Sequence, residues 1–195
     1  MNRWRTHLVG RADVITKEEA DEYVANGAEI LWTQWVEIDK NEHLKMSGDY
    51  LGPEFKSRLV ACGQFENATG LRTDSLTCDV DGLNLVLALA ASRGTTICSA
   101  DVRNAYFQGK KLERVLLLRP PKSGLPGEGD LSDAAIRAKV LIYGTRDAGR
   151  MFWERLREVC IGAGLRPSKH IKALYVHSVH GRPVVMLATH VDDLM

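Results

Sequence analysis

The run VVMLATHV, Val184 to Val191, is almost wholly apolar and stops at two adjacent carboxylates, Asp192 and Asp193. So short an apolar run, without clean alternation, reads as a central strand buried on both faces. Its end therefore sets two like charges at the rim of a core, where their repulsion is costly unless a cation neutralises it. A second apolar stretch, TTICSA from Thr95 to Ala100, is followed by Asp101. If the two strands are neighbours, three hard oxygen donors meet at strand tips, which is the donor set Mg2+ takes. A pair of Mg2+ ions on shared carboxylates is the arrangement used for in-line phosphoryl transfer. The competing reading of the residues alone is an acidic turn in solvent.

The remaining chain intermingles helices and strands. TKEEADEYVANG carries a capping box at Thr16 and Glu19, with Gly27 where a helix stops. ILWTQWVEID (Ile30 to Asp39) reads as a strand with Trp32, Val36 and Ile38 on one face, and FKSRLVACG (Phe55 to Gly63) as its hairpin partner across a polar loop. Asp79 caps a predicted helix from Val80 to Arg93 that turns Leu83, Val86, Leu87 and Ala90 inward and ends at Gly94. Thr95 to Asp101 reads as a strand, VRNAYFQGKK as a turn or short helix closed by Gly109, and RVLLLRPP (Arg114 to Pro121) as a strand halted by prolines. After the loop KSGLPGEGD, a helix over Gly149 to Gly162 turns Phe152, Leu156 and Val159 inward, and two strands flank a turn at Gly181-Arg182-Pro183. Hairpins and mixed connections predict an α+β fold with a mainly antiparallel sheet and flanking helices.

At 195 residues and 45% hydrophobic, the chain is long enough to bury a substantial core. A net charge of +1 leaves any polyanion-binding surface to a local patch. No apolar run approaches the ~18 residues that span a bilayer, and the start, MNRWRTHLVGRADV, lacks the apolar stretch of a signal peptide. Cys62, Cys78, Cys98 and Cys160 have no metal-ligand spacing and read as separate, buried thiols in a reducing compartment. The expected location is intracellular, cytoplasm or nucleus, and not secreted. His170, His177 and His180 read as solvent-facing, and the cations between Arg137 and Arg157 as a charged helix face.

Several stretches together resemble a known family. SADVRNAYFQG (Ser99 to Gly109) resembles the first palm motif of reverse transcriptases, D-x-x-x-A-[FY], and HVDDL (His190 to Leu194) resembles the second, Y-[MV]-D-D. With WVEIDK, PEFKSRLVACG, LALAASRG, the run through LERVLLLRPP, IYGTRDAGRMFW and LYVHS in order between Trp32 and Met195, the chain resembles the copia-type long-terminal-repeat retrotransposon branch. The resemblance implies the fingers and partial palm of a right-hand polymerase. Residues 1–28 would be an N-terminal flank, 29–79 and 112–145 fingers, and 80–111 and 146–195 palm, truncated after the DD motif. It implies RNA-directed DNA polymerisation with two Mg2+ ions. The partners would be an RNA or DNA template with its primer, a deoxynucleoside triphosphate and the rest of a polyprotein, with no membrane.

Carried over by residue, Asp101, Asp192 and Asp193 would be catalytic, with the carbonyl of Val102 as a further metal ligand. Asn104 and Ala105 would offer backbone N–H groups to the triphosphate and Tyr106 would lie beneath the sugar. Lys56 and Arg58 would reach the β- and γ-phosphates. Arg146 and Arg150 would face nucleic acid, a role whose main attraction is the phosphate backbone. His190 stands where many relatives have Tyr, Asp147 where the common pattern has Gln, and Gly149 where it has Pro. The strand expected to follow Asp193 and pair with VVMLATHV is absent on this reading, as are the thumb and any ribonuclease H domain. The chain by itself is therefore expected to be inactive and prone to aggregate. The alternative is a non-catalytic relic that keeps the fold and at most binds nucleic acid.

Overall fold

The computed structural model describes residues 11–126 and 128–195. The leader reading for the first ten residues lies outside them, as does Gly127 in the loop before Asp130. The described chain is α+β, with two five-stranded sheets and a single parallel strand pair among antiparallel ones. It divides into two compact units, Met1–Asn67 with Lys111–Arg146, and Ala68–Lys110 with Asp147–Met195.

The first unit is built on β1 (Ala12–Thr16), β2 (Glu29–Asp39), β3 (Phe55–Ala61), β5 (Lys111–Arg119) and β6 (Ala134–Val140), ordered β1-β6-β5-β2-β3. Between β1 and β2 runs α1 (Lys17–Ala25). The Thr16 hydroxyl accepts from the Glu19 N–H at 3.2 Å and the Glu19 carboxylate accepts from the Thr16 N–H at 2.9 Å, so two orphan donors of the first turn are satisfied reciprocally. Ala20 of α1 buries against Leu117 and Ala135. The core of the unit is the run Leu116, Leu117 and Leu118 with Ile136, Leu141 and Ile142, all at most 2% exposed.

Strands β1 and β6 escaped the sequence reading, and Arg137 and Lys139 lie on β6, not on a helix face. The buried face of β2 is that of Leu31 and Thr33, while Trp32 is half exposed, because β2 packs its odd positions on the core. β5 starts earlier than expected, at Lys111, and stops before the two prolines. The β2–β3 hairpin forms as predicted, in register Thr33↔Ala61 to Asp39↔Phe55. Its loop is stapled by Asp39, whose carboxylate accepts from the N–H groups of Asn41 and Glu54, both at 3.0 Å, and from the Tyr50 hydroxyl at 2.9 Å.

Where the chain leaves this unit, backbones touch. A Cβ on Gly63 would lie 1.9 Å from the Gly144 carbonyl oxygen, and one on Gly144 would lie 2.0 Å from that of Ala61. Beside them sits Glu66, whose side chain is fully buried. It pairs with the Arg114 guanidinium and accepts from the Arg146 N–H at 2.6 Å. A buried carboxylate is tolerated because both its oxygens are bonded.

The second unit holds β4 (Ala100–Asp101), β7 (Arg166–Pro167), β8 (Leu174–Val179), β9 (Arg182–His190) and β10 (Asp193–Leu194), ordered β4-β10-β9-β8-β7. Its helices are α2 (Val80–Arg93) and α3 (Ala148–Gly162). Asp79 caps α2 by accepting from the Gly82 N–H at 2.7 Å, and Gly94 ends it in the left-handed conformation. The buried stripe of α2 is Gly82, Val86 and Ala90, so Leu83 and Leu87 fall outside it. On α3, Ala148, Phe152 and Cys160 are buried and Val159 is exposed. Val86, Ala90 and Phe152 are buried as expected, and only the positions beside them differ, which apolar periodicity resolves poorly where apolar residues crowd one helix. Cys98, expected inside, is exposed.

The strand read from Thr95 shrinks to Ala100–Asp101, since residues 95–99 find no ladder partner. The turn between β8 and β9 centres on His180 and Gly181, with φ of 50° and 75°, leaving Arg182 and Pro183 on β9. β9 is buried only toward its end, at Ala188 and Thr189. Its first half pairs on one side only, with β8. The return strand after Asp193 is not wholly absent. Asp193 and Leu194 pair with His190 and Thr189, and Met195 exchanges both backbone hydrogen bonds with Ala188, at 2.9 and 2.7 Å.

Gly144→Ala meets both a clash and a φ of +94°, and should destabilise the full chain in thermal unfolding by at least ~2 kcal/mol. Gly94→Ala, in open space, should cost about half that. Asp39 is held below the ordinary carboxylate range. Burial opposes its charge, but the N–H groups of Asn41 and Glu54, the Tyr50 hydroxyl and Lys45 outweigh that. Its contribution should be complete above the unfolded value of ~3.9 and lost as pH falls through the lower folded value. Amide exchange in residues 40–54 should accelerate over that acid window, and Asp39→Asn should remove the pH dependence.

Candidate active site

The turn from β9 to β10 is only two residues long, because His190 pairs with Asp193 across Val191 and Asp192. Such short hairpin turns need positive φ, which Gly or Asn supplies without strain. Here Val191 supplies it, at φ 54°, although a β-branched side chain is poorly suited to that region. Strain of this kind persists only where surrounding structure enforces it, and it clusters at functional sites. The enforcement is visible in the ladder from Met195 to Ala188 and in the packing of Met195 against the Val86, Leu174 and Ala188 cluster.

The turn brings the acidic strand tips together. Asp193 stands directly opposite Asp101 in the antiparallel register, so their side chains share a face. Asp192 lies in the turn itself, and its carbonyl accepts from the Val102 N–H at 2.8 Å. The neighbour of β4 is therefore β10, not the long apolar strand β9 as the sequence suggested. Asp101 and Asp193 are exposed and Asp192 is half buried. Among the described residues, no group of three His, Cys, Asp or Glu side chains is placed to hold a metal ion. Backbone placement and donor chemistry suit a hard divalent cation, while the side chains do not converge into a cage.

After Asp101 the chain turns through Asn104, which takes the left-handed conformation at φ 53°, one that Asn tolerates. A 3-10 turn, Ala105–Gln108, follows and ends at Gly109. Ala105 is buried, and the Tyr106 ring meets Phe152 of α3 edge-on at 6.3 Å between centroids. Burial and then the negative charge of Asp192 push the Tyr106 hydroxyl up from its ordinary range, so this ring lies in the field of the acidic turn. Gly109 closes the turn tightly on itself, since a Cβ there would lie 3.1 Å from the Tyr106 carbonyl oxygen, while the Phe152 nitrogen of α3 would be at contact distance, 3.6 Å. Lys110 fastens it to α3, 2.8 Å from Glu158 and 3.5 Å from Glu154. Phe107 is half buried.

The other expected residues are placed as follows. Lys56 and Arg58 alternate along β3 in the first unit, opposite Ile38 and Val36, with Lys56 exposed and Arg58 half buried. Arg146 donates to the carbonyls of Gly63 at 2.9 Å and Gln64 at 3.1 Å. Arg150 donates to Asp74 at 2.8 Å and Glu154 at 2.7 Å and stacks over Trp153, leaving its side chain 11% exposed. Both arginines spend these donors inside their own units. Asp147 is buried at the start of α3, where the helix dipole favours negative charge. His170 and His180 are exposed, and His177 lies 2.9 Å from the Gly164 carbonyl oxygen. The strain at Val191 left no trace in the sequence, because nothing in HVDD announces a positive φ.

The site thus consists of two antiparallel strand tips with Asp193 opposite Asp101, a strained turn carrying Asp192 that leads from β9 into β10, and an aromatic turn after β4. Residues 24–195 match the family model of reverse transcriptase (RNA-dependent DNA polymerase), and the chain belongs to that family. The copia-type resemblance is compatible with this family. No match was found among the curated proteins or the solved structures. No helix among the described residues is long and apolar enough to cross a membrane.

Relieving the turn gives a local prediction. Val191→Gly should stabilise the chain by about 1 kcal/mol in thermal unfolding, by removing the positive-φ penalty. A loss of stability would show that Val191 packing outweighs backbone strain.

Proposed function

We propose that this chain is the fingers and part of the palm of an RNA-directed DNA polymerase from a copia-type retrotransposon polyprotein. The first unit is read as fingers and the second as palm. The observation that carries the reading is the register of Asp193 opposite Asp101, with Asp192 in the joining turn. The reaction is attack of a primer 3′-OH on the α-phosphorus of a deoxynucleoside triphosphate. The new P–O bond forms as the bond to the β-phosphate breaks and pyrophosphate leaves. The carboxylates of Asp101, Asp192 and Asp193 and the Val102 carbonyl would hold two Mg2+ ions, which when bound lower the cost of the attacking alkoxide and the leaving pyrophosphate.

The protein's own residues orient the substrates. Backbone N–H groups of Asn104 and Ala105 face the triphosphate, and the Tyr106 ring, stiffened by Phe152, lies under the sugar and excludes a 2′-hydroxyl. Lys56 and Arg58 meet the β- and γ-phosphates. Arg146 and Arg150 are read as facing nucleic acid, where the phosphate backbone is the main attraction. The template, RNA or DNA, and its primer are the macromolecular partners, and the site of action is intracellular.

The test has two readouts on the full chain, Mn2+ binding followed by electron spin resonance and primer extension with Mg2+ on a primed RNA template. Asp101→Asn and Asp192→Asn should each weaken Mn2+ binding by more than the ~10–100-fold that loss of an outer-shell partner causes. Both should abolish any extension. Metal binding without extension would favour the non-catalytic chain that keeps the fold. Wild-type binding that neither substitution affects would overturn the assignment of the carboxylates.

A further inference from the structure

Arg58 lies on an edge strand of the first unit, with its guanidinium carbon 5.5 Å from the centroid of the Tyr143 ring. That ring comes from the segment after β6, which runs beside β3. The Ala61 N–H donates to the Tyr143 carbonyl at 2.8 Å. The approach is possible only because Gly144 has no side chain, since a Cβ there would lie 2.7 Å from Val60 Cγ1 and 2.0 Å from the Ala61 oxygen. The segment is then locked from its far side. Arg146 donates to the Gly63 and Gln64 carbonyls, and buried Glu66 accepts from the Arg146 N–H. Tyr143 therefore belongs to an anchored piece of backbone, although it is only half buried.

A guanidinium stacked on a ring uses its face and leaves its in-plane N–H donors open. Those donors are the ones that meet phosphate oxygens in bidentate fashion. Stacking also restricts the rotamers of a long side chain before any ligand arrives, so less freedom is lost on binding. Exposed Lys56, two residues away, would act as a point charge. We propose that Tyr143 is a positioning residue for Arg58, holding the guanidinium face-on so that its donors present to the terminal phosphates of a nucleoside triphosphate. The inference rests on the reading of Arg58 as a phosphate contact.

The experiment is equilibrium binding of dATP with Mg2+ to the full chain, followed by tryptophan fluorescence, with dADP as the comparison ligand. Arg58→Ala should weaken dATP and narrow the preference for dATP over dADP. Tyr143→Phe should bind as wild type does. Tyr143→Leu should weaken dATP about threefold, the worth of an exposed cation–π stack. It should have no further effect in the Arg58→Ala background. 3,4,5-Trifluorophenylalanine at position 143 keeps the ring's shape, so fold is preserved, and depletes its negative face. It should reproduce the Leu result. If Arg58→Ala leaves dATP binding unchanged, the phosphate role of Arg58 falls and this proposal with it. If Arg58→Ala weakens binding while the Leu and trifluorinated variants match wild type, only the positioning role of Tyr143 is overturned.

Discussion

The hairpin that reverses the chain at Val191 and Asp192 is the constraint on which the acidic site depends. Without a two-residue turn, Asp193 would not fall opposite His190, and β10 would not present Asp193 to Asp101. The turn costs backbone energy at Val191, and the hydrogen bonds of Met195 to Ala188 help to hold it closed. A site whose parts are set by ladder register takes their spacing from the backbone. Side chains then need only rotate to meet a ligand.

The first unit solves a different problem. Its three chain crossings come close to one buried carboxylate. Glu66 precedes the first exit, Arg114 follows the entry, and Arg146 stands at the last exit. The Gly63 and Gly144 contact allows those segments to pack backbone to backbone. Charge and close approach are coupled here. The glycines bring the Arg146 amide to Glu66, and the bonded Glu66 makes a buried charge tolerable.

Much of this was legible in the residues. Thr16 with Glu19, Asp79 before Val80 and Gly94 after Arg93 are local signals, and each formed the cap it promised. Hairpins around polar loops were also readable, since alternation and turn residues act at short range. What could not be read is long-range. Ala134–Val140 carries Arg137 and Lys139 among small residues, and becomes a strand only because β1 and β5 flank it. TTICS has a strand composition but no neighbour, and stays irregular. For the candidate site, Asp101, Asp192 and Asp193 stood out by position at strand ends. The partner of Asp101, the strain at Val191 and the stack of Tyr143 on Arg58 depend on register and three-dimensional packing that sequence spacing does not encode.

The parallel pairing of Glu29–Trp32 with Leu116–Arg119 carries a consequence for how the chain folds. The two strands belong to one sheet, yet the first segment of the other unit is threaded between them in sequence. On the ribosome, where chains grow at about 5–20 residues per second, β2 emerges several seconds before β5 exists. During that interval the β2–β3 hairpin has an open flank with Leu31 exposed. Closing it requires a long loop to be brought together before its contacts can reward the cost. Assembly of the first sheet is thus the expected slow step of folding, and its waiting hairpin edge is where a nascent chain is most open to pairing with another.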